Sequence, residues 1–193
     1  MASFPAMAIS KRWTMGAAAM VLMTGVAACH VPGAGSPTTP ASSAAGPVKT
    51  SGCHIRTENR QPLPDPSCTP GATNPAVTQA DIRSTVCRSG WTKTVRPPES
   101  YTEKLKRQGI NGYGDSDRNL GDYEEDHLIS LELGGAPSDP RNLWPEPGSS
   151  PNAKDKVENA LHRAVCDGKI TLAAAQHTIA ADWTTAETSL GLG

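Results

Sequence analysis

Residues 123–147 read YEEDHLISLELGGAPSDPRNLWPEP. Glu124, Glu125, Asp126 and His127 stand directly before an apolar run, and the pair Gly134-Gly135 then opens a loop that returns to Asn142-Leu143-Trp144. Acidic residues before a strand and glycines after it are ordinary punctuation. The stretch therefore takes its meaning from what surrounds it. As one strand, YEEDHLISLEL sets Leu128, Ser130 and Glu132 on one face and Ile129, Leu131 and Leu133 on the other. In a strand, Asp126 and His127 point to opposite sides of the pleat and do not compete for one position.

Downstream, SPNAKDKVENALHRAVCDG predicts a helix with Ser150 as N-cap, Pro151 at the first helical position and Gly168 just past the end. Val157, Ala160, Leu161, Ala164 and Val165 fall on one face. TLAAAQHTIAADW predicts a second helix capped by Thr171, with Leu172, Ala175, Ile179 and Trp183 as its core stripe. Upstream, VTQADIRSTVC predicts a short helix capped by Thr78, with Ile82 and Val86 on one face. GWTKTVR reads as a weak strand whose apolar side Lys93 interrupts, and Pro97-Pro98 opens a helix near ESYTEKLKRQG that Gly109 ends. These elements add up to an α+β domain over residues 53–185, with residues 186–193 as a flexible tail.

The N-terminal part has another character. Lys11 and Arg12 precede the apolar, small-residue run MGAAAMVLMTGVAA and Cys29, the layout of a secretory signal over residues 1–28. Val26-Ala27-Ala28-Cys29 resembles the lipobox of bacterial lipoproteins, which makes Cys29 the candidate lipidation site. Ordinary cleavage after an alanine, releasing a soluble secreted protein, is the alternative. Residues 29–52, rich in Pro, Gly, Ser, Thr and Ala, bury too little to offset their chain entropy and read as a flexible tether. The expected location is extracytoplasmic, with a lipid anchor in a bacterial membrane.

Setting Cys29 aside leaves Cys53, Cys68, Cys87 and Cys166. An even number in an exported small domain argues for two disulfides, with three pairings open. Cys53 with Cys68, closing a Pro-rich loop, and Cys87 with Cys166, joining the first helix to a late one, are the favoured pair. No CxxC spacing suggests zinc. The whole chain carries a net charge of −1, and removing residues 1–28 leaves 16 basic and 19 acidic residues, or −3. That is a poor global attractor for nucleic acid. Residues 88–107 run against this trend, with six basic residues, Arg96 among them, and only Glu99 and Glu103 opposing.

The order Asp126-His127, Gly134-Gly135, Asn142-Leu143, then PNAKDKVENAL resembles the HNH branch of the ββα-metal (His-Me finger) nucleases over residues 122–165. The flanking segments look like those of secreted bacterial HNH-like proteins. The resemblance implies a ββα-metal core with added flanking helices. It also implies a metal-dependent endonuclease that hydrolyses DNA or RNA without a covalent intermediate, as a monomer. His127 would be the general base, Asn142 the residue that orients it, and Asp126 and Asn152 ligands of Mg2+ or Mn2+. Lys154 and Arg96 are candidate phosphate contacts, and an immunity partner is left open. These residue types suit phosphodiester hydrolysis, because His is largely neutral at pH 7 and can accept a proton, and carboxylate and amide oxygens suit a hard cation. The chain departs from the family in lacking its common helix histidine and zinc cysteines. A non-catalytic envelope lipoprotein using the same scaffold is the runner-up reading, and hydrolysis of another phosphodiester a third.

Overall fold

The computed structural model describes residues 49–193. The expected signal, the candidate lipidation site Cys29 and the expected tether up to residue 48 lie outside the described residues. Ordered contacts begin earlier than position 53, since Lys49 donates its N–H to the Ser67 carbonyl at 3.0 Å.

A short hairpin comes first, β1 (Arg56–Glu58) against β2 (Gln61–Leu63). Its two turn residues, Asn59 and Arg60, both have positive φ (50° and 64°), the backbone that a two-residue hairpin of matching twist demands. Residues 78–87 are not the regular helix expected. A 3-10 turn spans Gln79–Asp81 and irregular turns follow, although Ile82 and Val86 are buried as the spacing predicts. The Thr78 hydroxyl bonds the Asp81 carboxylate instead of a helix N–H.

GWTKTVR is a helix, not a strand: α1 is Trp91–Val95, with Trp91 buried. α2 runs Glu99–Gly112 straight through Gly109. That glycine is there for proximity, since a Cβ at Gly109 would lie 2.7 Å from Cδ of Pro145.

β3 (Tyr123–His127) pairs antiparallel with β4 (Leu143–Pro147), in a register that sets Glu124 opposite Glu146, Asp126 opposite Trp144 and His127 opposite Leu143. The expected strand thus stops at His127. Leu131–Leu133 form a 3-10 turn, and Leu128, Ile129, Leu131 and Leu133 are all buried, so neither side of the run faces water. A further 3-10 turn, Pro140–Asn142, is capped by the Asp139 carboxylate and leads into β4.

α3 (Ala153–Cys166) follows. Its N-cap is Asn152, not Ser150, and a reciprocal capping box with Asp155 closes its first turn. α4 (Leu172–Asp182) begins at Thr171, whose hydroxyl accepts from the Ala174 N–H as expected. α5 (Ala186–Ser189) replaces the expected flexible tail: Ala186 is fully buried, and Leu190 and Leu192 pack on the core.

The main core joins Ile129 and Leu133 of the loop to Leu161 and Val165 of α3, Ile179 of α4, and Trp183, which is a packing residue as predicted. A smaller core gathers Tyr113, Leu128 and Trp144 around the first disulfide. Both favoured bridges are present, Cys53–Cys68 and Cys87–Cys166. Among the described residues no helix is long and apolar enough to cross a membrane.

Candidate functional site

The site grows from the loop that joins β3 to β4. Asn142, fully buried, spends its side chain on this loop and on the segment at Ala72 packed against it. Its Oδ1 accepts the Ile129 N–H at 2.9 Å and lies 3.4 Å from the Ala72 nitrogen, while Nδ2 donates to the Ile129 and Ala136 carbonyls. Gly135 permits the clamp to close: a Cβ there would sit 1.7 Å from the Ile129 oxygen and 2.8 Å from Asn142 Nδ2. Gly135 is thus required by close approach, and Gly134 by its left-handed φ of 73° at the end of the 3-10 turn.

This corrects the expected role of Asn142. It orients the loop, and the His127 ring is held by another group, the Pro137 carbonyl, 2.9 Å from Nε2. A carbonyl can only accept, so Nε2 carries the proton and Nδ1 keeps its lone pair. Asn142 acts one step back, through the Ala136 carbonyl next to Pro137. His127 is 7 % exposed. Burial above all pushes its pKa below the usual histidine range; the Pro137 bond and Asp126 pull the other way, and Arg96 adds to the depression. The ring is neutral at pH 7, a protonation state fit for a base. Arg96 ends α1 with its side chain exposed, near enough for its charge to act on the ring.

The opposite face of β3 has different chemistry. Asp126 Oδ2 accepts from Lys154 Nζ at 2.8 Å and from Trp144 Nε1 at 3.2 Å. Lys154, 1 % exposed, also donates to the His127 carbonyl at 2.9 Å and to Glu158, one turn further along α3. Burial alone would push Lys154 down, but the Asp126 carboxylate, with Glu158 as a further acceptor, overcomes it and holds the ammonium charged. Burial likewise opposes ionisation of Asp126, and the Lys154 ammonium wins. Glu158 is pushed up to about 8 by burial against the pull of Lys154, and Glu146 up to about 8 by burial and the nearby Asp126 charge. Glu146 is 3 % exposed, and its Oε2 has no hydrogen-bond partner.

Three expectations are corrected by this geometry. Lys154 is not placed to touch phosphate, because it is buried with all three N–H donors spent. Asn152 Oδ1 accepts from the Lys154 and Asp155 N–H groups, and its Nδ2 bonds Glu124, so it caps α3 instead of presenting an oxygen to an ion. Asp126 already carries a cation. The Asp126–Asn152 pair therefore does not fit a divalent metal ion.

Cys87, His162 and Cys166 also converge, their ligand-type atoms within 4.8 Å of one another. The two sulfurs, however, are joined in a disulfide, and His162 Nε2 bonds the Val86 carbonyl at 2.9 Å. With no thiolate to offer, this cluster is not a metal centre in the oxidised protein.

Glu158 and the burial of Lys154 are not legible in the sequence, and Glu146 is visible there only as one acid among several near the strand. The Lys154/Glu158 spacing of four on one helix is visible there, but nothing local distinguishes a buried i,i+4 pair from a solvated one. On the His127 side of the sheet, Glu125 lines a cavity of about 690 Å³ with Leu105, Gly109, Tyr113 and Leu143. Burial pushes this carboxyl up to about 8, and its Oε2 is unpartnered.

Comparison with protein-family models, with curated proteins and with solved structures finds no match for this chain.

Proposed function

We propose that this chain is an extracytoplasmic endonuclease of HNH (His-Me finger) type that hydrolyses nucleic-acid phosphodiesters with His127 as general base. One observation carries the reading: a buried, neutral imidazole whose Nε2–H is fixed on the Pro137 carbonyl, leaving Nδ1 as acceptor. The order β3, clamped loop, β4, α3 supports it. In this reading Nδ1 takes the proton of the attacking water as its oxygen bonds to phosphorus, and the bond to the departing alkoxide breaks. Arg96, exposed beside the ring, places positive charge against the phosphoryl oxygens. The two disulfides fit a location outside the cytoplasm. The lipobox-like residues Val26–Cys29 support a lipid anchor, with the Pro-rich segment holding the domain off the membrane.

The test is cleavage of plasmid DNA and of RNA by the purified full chain beside His127→Ala. Cutting that the substitution abolishes supports the reading. No cutting by the native chain at any salt concentration leaves the second reading, a binding scaffold at the envelope. One observation favours that alternative: Asp126 and Asn152 are both committed to internal contacts.

A further inference from the structure

We propose that the Lys154 ammonium is a built-in cation, occupying in this ββα unit the place where a divalent metal ion would sit, so that the native protein binds no such ion there. The inference rests on the HNH-type reading above, because only that reading expects an ion beside the histidine.

Three acceptors meet three N–H donors. Asp126 Oδ2 lies at 2.8 Å, the His127 carbonyl at 2.9 Å, and the Glu158 carboxylate completes the set. They come from the last two residues of β3 and from the second turn of α3, so one buried nitrogen joins strand end to helix. An ammonium and a magnesium ion ask different things of the same oxygens. Ammonium takes contacts of about 2.8 Å along its three N–H bonds, whereas magnesium demands near-octahedral oxygens at about 2.1 Å. The Asp126 and His127 oxygens, at the longer distance from a 1 % exposed nitrogen, match the first.

The charge arrangement agrees. Glu124, Asp126 and Glu146 share one face of the sheet, and Glu158 approaches from α3. Four carboxyl groups around a single ammonium are a setting that a divalent ion would enter readily if the lysine were not covalently there. The ammonium does not touch substrate. It holds the backbone carbonyl of His127, the residue whose ring is the proposed base, and is thus a positioning residue.

Manganese is the probe. The full-length chain is titrated with Mn2+ while free Mn2+ is followed by its electron paramagnetic resonance signal, and thermal unfolding is recorded in Mn2+ and in chelator. The native chain is expected to leave the signal of free Mn2+ undiminished and to unfold at the same temperature in both. Lys154→Ala is expected to bind one Mn2+ at least about tenfold more tightly than native and to regain thermal stability in its presence. Stoichiometric Mn2+ binding by the native chain that Asp126→Asn removes overturns the proposal. So does a folded Lys154→Ala with no gain in binding, since the lysine would then be filling no cation site. If Lys154→Ala fails to fold, the native titration and its Asp126→Asn control decide alone. An inactive native protein would defeat the nuclease reading and leave the manganese result to be read as it stands.

Discussion

The two faces of the β3–β4 pair treat neighbouring residues in opposite ways. On one face Asp126 meets an ammonium and is ionised; on the other, one residue along, His127 meets a carbonyl and is kept neutral. Both groups are largely withdrawn from water, so burial opposes charge on each. The partner decides the outcome: a full opposite charge at 2.8 Å overcomes desolvation, and a single neutral acceptor does not. A two-residue alternation thus places a permanent ion pair and an uncharged base on adjacent positions of one strand.

The sharpest way to break this comparison is Asp126→Asn, which keeps the shape and removes the charge. It leaves the buried Lys154 ammonium with Glu158 as its one remaining acidic partner, and a loss of about 3–5 kcal/mol in chemical denaturation is expected. The double substitution Asp126→Asn with Lys154→Met removes both charges and should recover a large part of that loss. A single-variant cost below about 1 kcal/mol would place the pair among screened surface bridges and erase the difference between the faces.

The next effect belongs to the other face. On the proposed nuclease reading, His127→Ala should lower cleavage by roughly 10²–10⁴-fold, the usual contribution of a positioned base. The pH profile tests the same point. With its folded pKa below the ordinary histidine value, His127 stays neutral as pH falls through 6.5, so the rate should decline only in more acidic solution. An acid limb centred above 6.5 would show a ring that is solvated or paired with a carboxylate.

How much of this is legible in the sequence depends on whether the signal is local. α3 and α4 are readable from 3.6-residue periodicity, and the disulfides from an even cysteine number in a small chain whose N-terminal residues read as an export signal. α1 escapes because five residues rich in Thr and Val read as strand, and no helix of that length has a periodicity to show. β3 reads too long because Leu128, Ile129, Ser130, Leu131 and Leu133 are all buried, and alternation carries no information where both faces are largely dry. The strand residues Asp126 and His127 stand out, yet their partners do not. Lys154 and Pro137 are supplied by tertiary packing, and a lysine near a helix start looks like every solvated lysine.

Glu125 sharpens the comparison further, being an acid on the histidine's face that no ammonium bonds directly: the Lys106 charge pulls its pKa down, and burial wins. Its carboxyl is raised to about 8 by burial, so the folded protein holds a proton that the unfolded chain releases near pH 4.5. That contribution to stability is full below pH 4.5 and is lost as pH rises through about 8. Glu125→Gln removes the loss. The variant should match the native protein at pH 5 and exceed it at pH 9 by roughly 1–2 kcal/mol in denaturant titrations, once partial solvent access is allowed for. An unchanged pH dependence would mean that Glu125 ionises freely into the cavity beside it.

The smallest expected effect separates a cap from a ligand. Asn152 accepts the Lys154 and Asp155 N–H groups, so Asn152→Ala should cost about 1 kcal/mol through fraying of the first turn of α3. Asn152→Ser restores a capping oxygen on a shorter side chain and should recover most of that stability. If Asn152 only caps, cleavage should follow the same order, falling slightly in the alanine variant and returning with serine. If it held an ion, serine would rescue the fold and leave the activity and its metal dependence impaired. The face of β3 that carries Glu124 and Asp126 would then hold a metal ion in place of the closed ion pair, because the Asn152 amide, bonded to Glu124 on that face, would be completing a site that Lys154 does not fill.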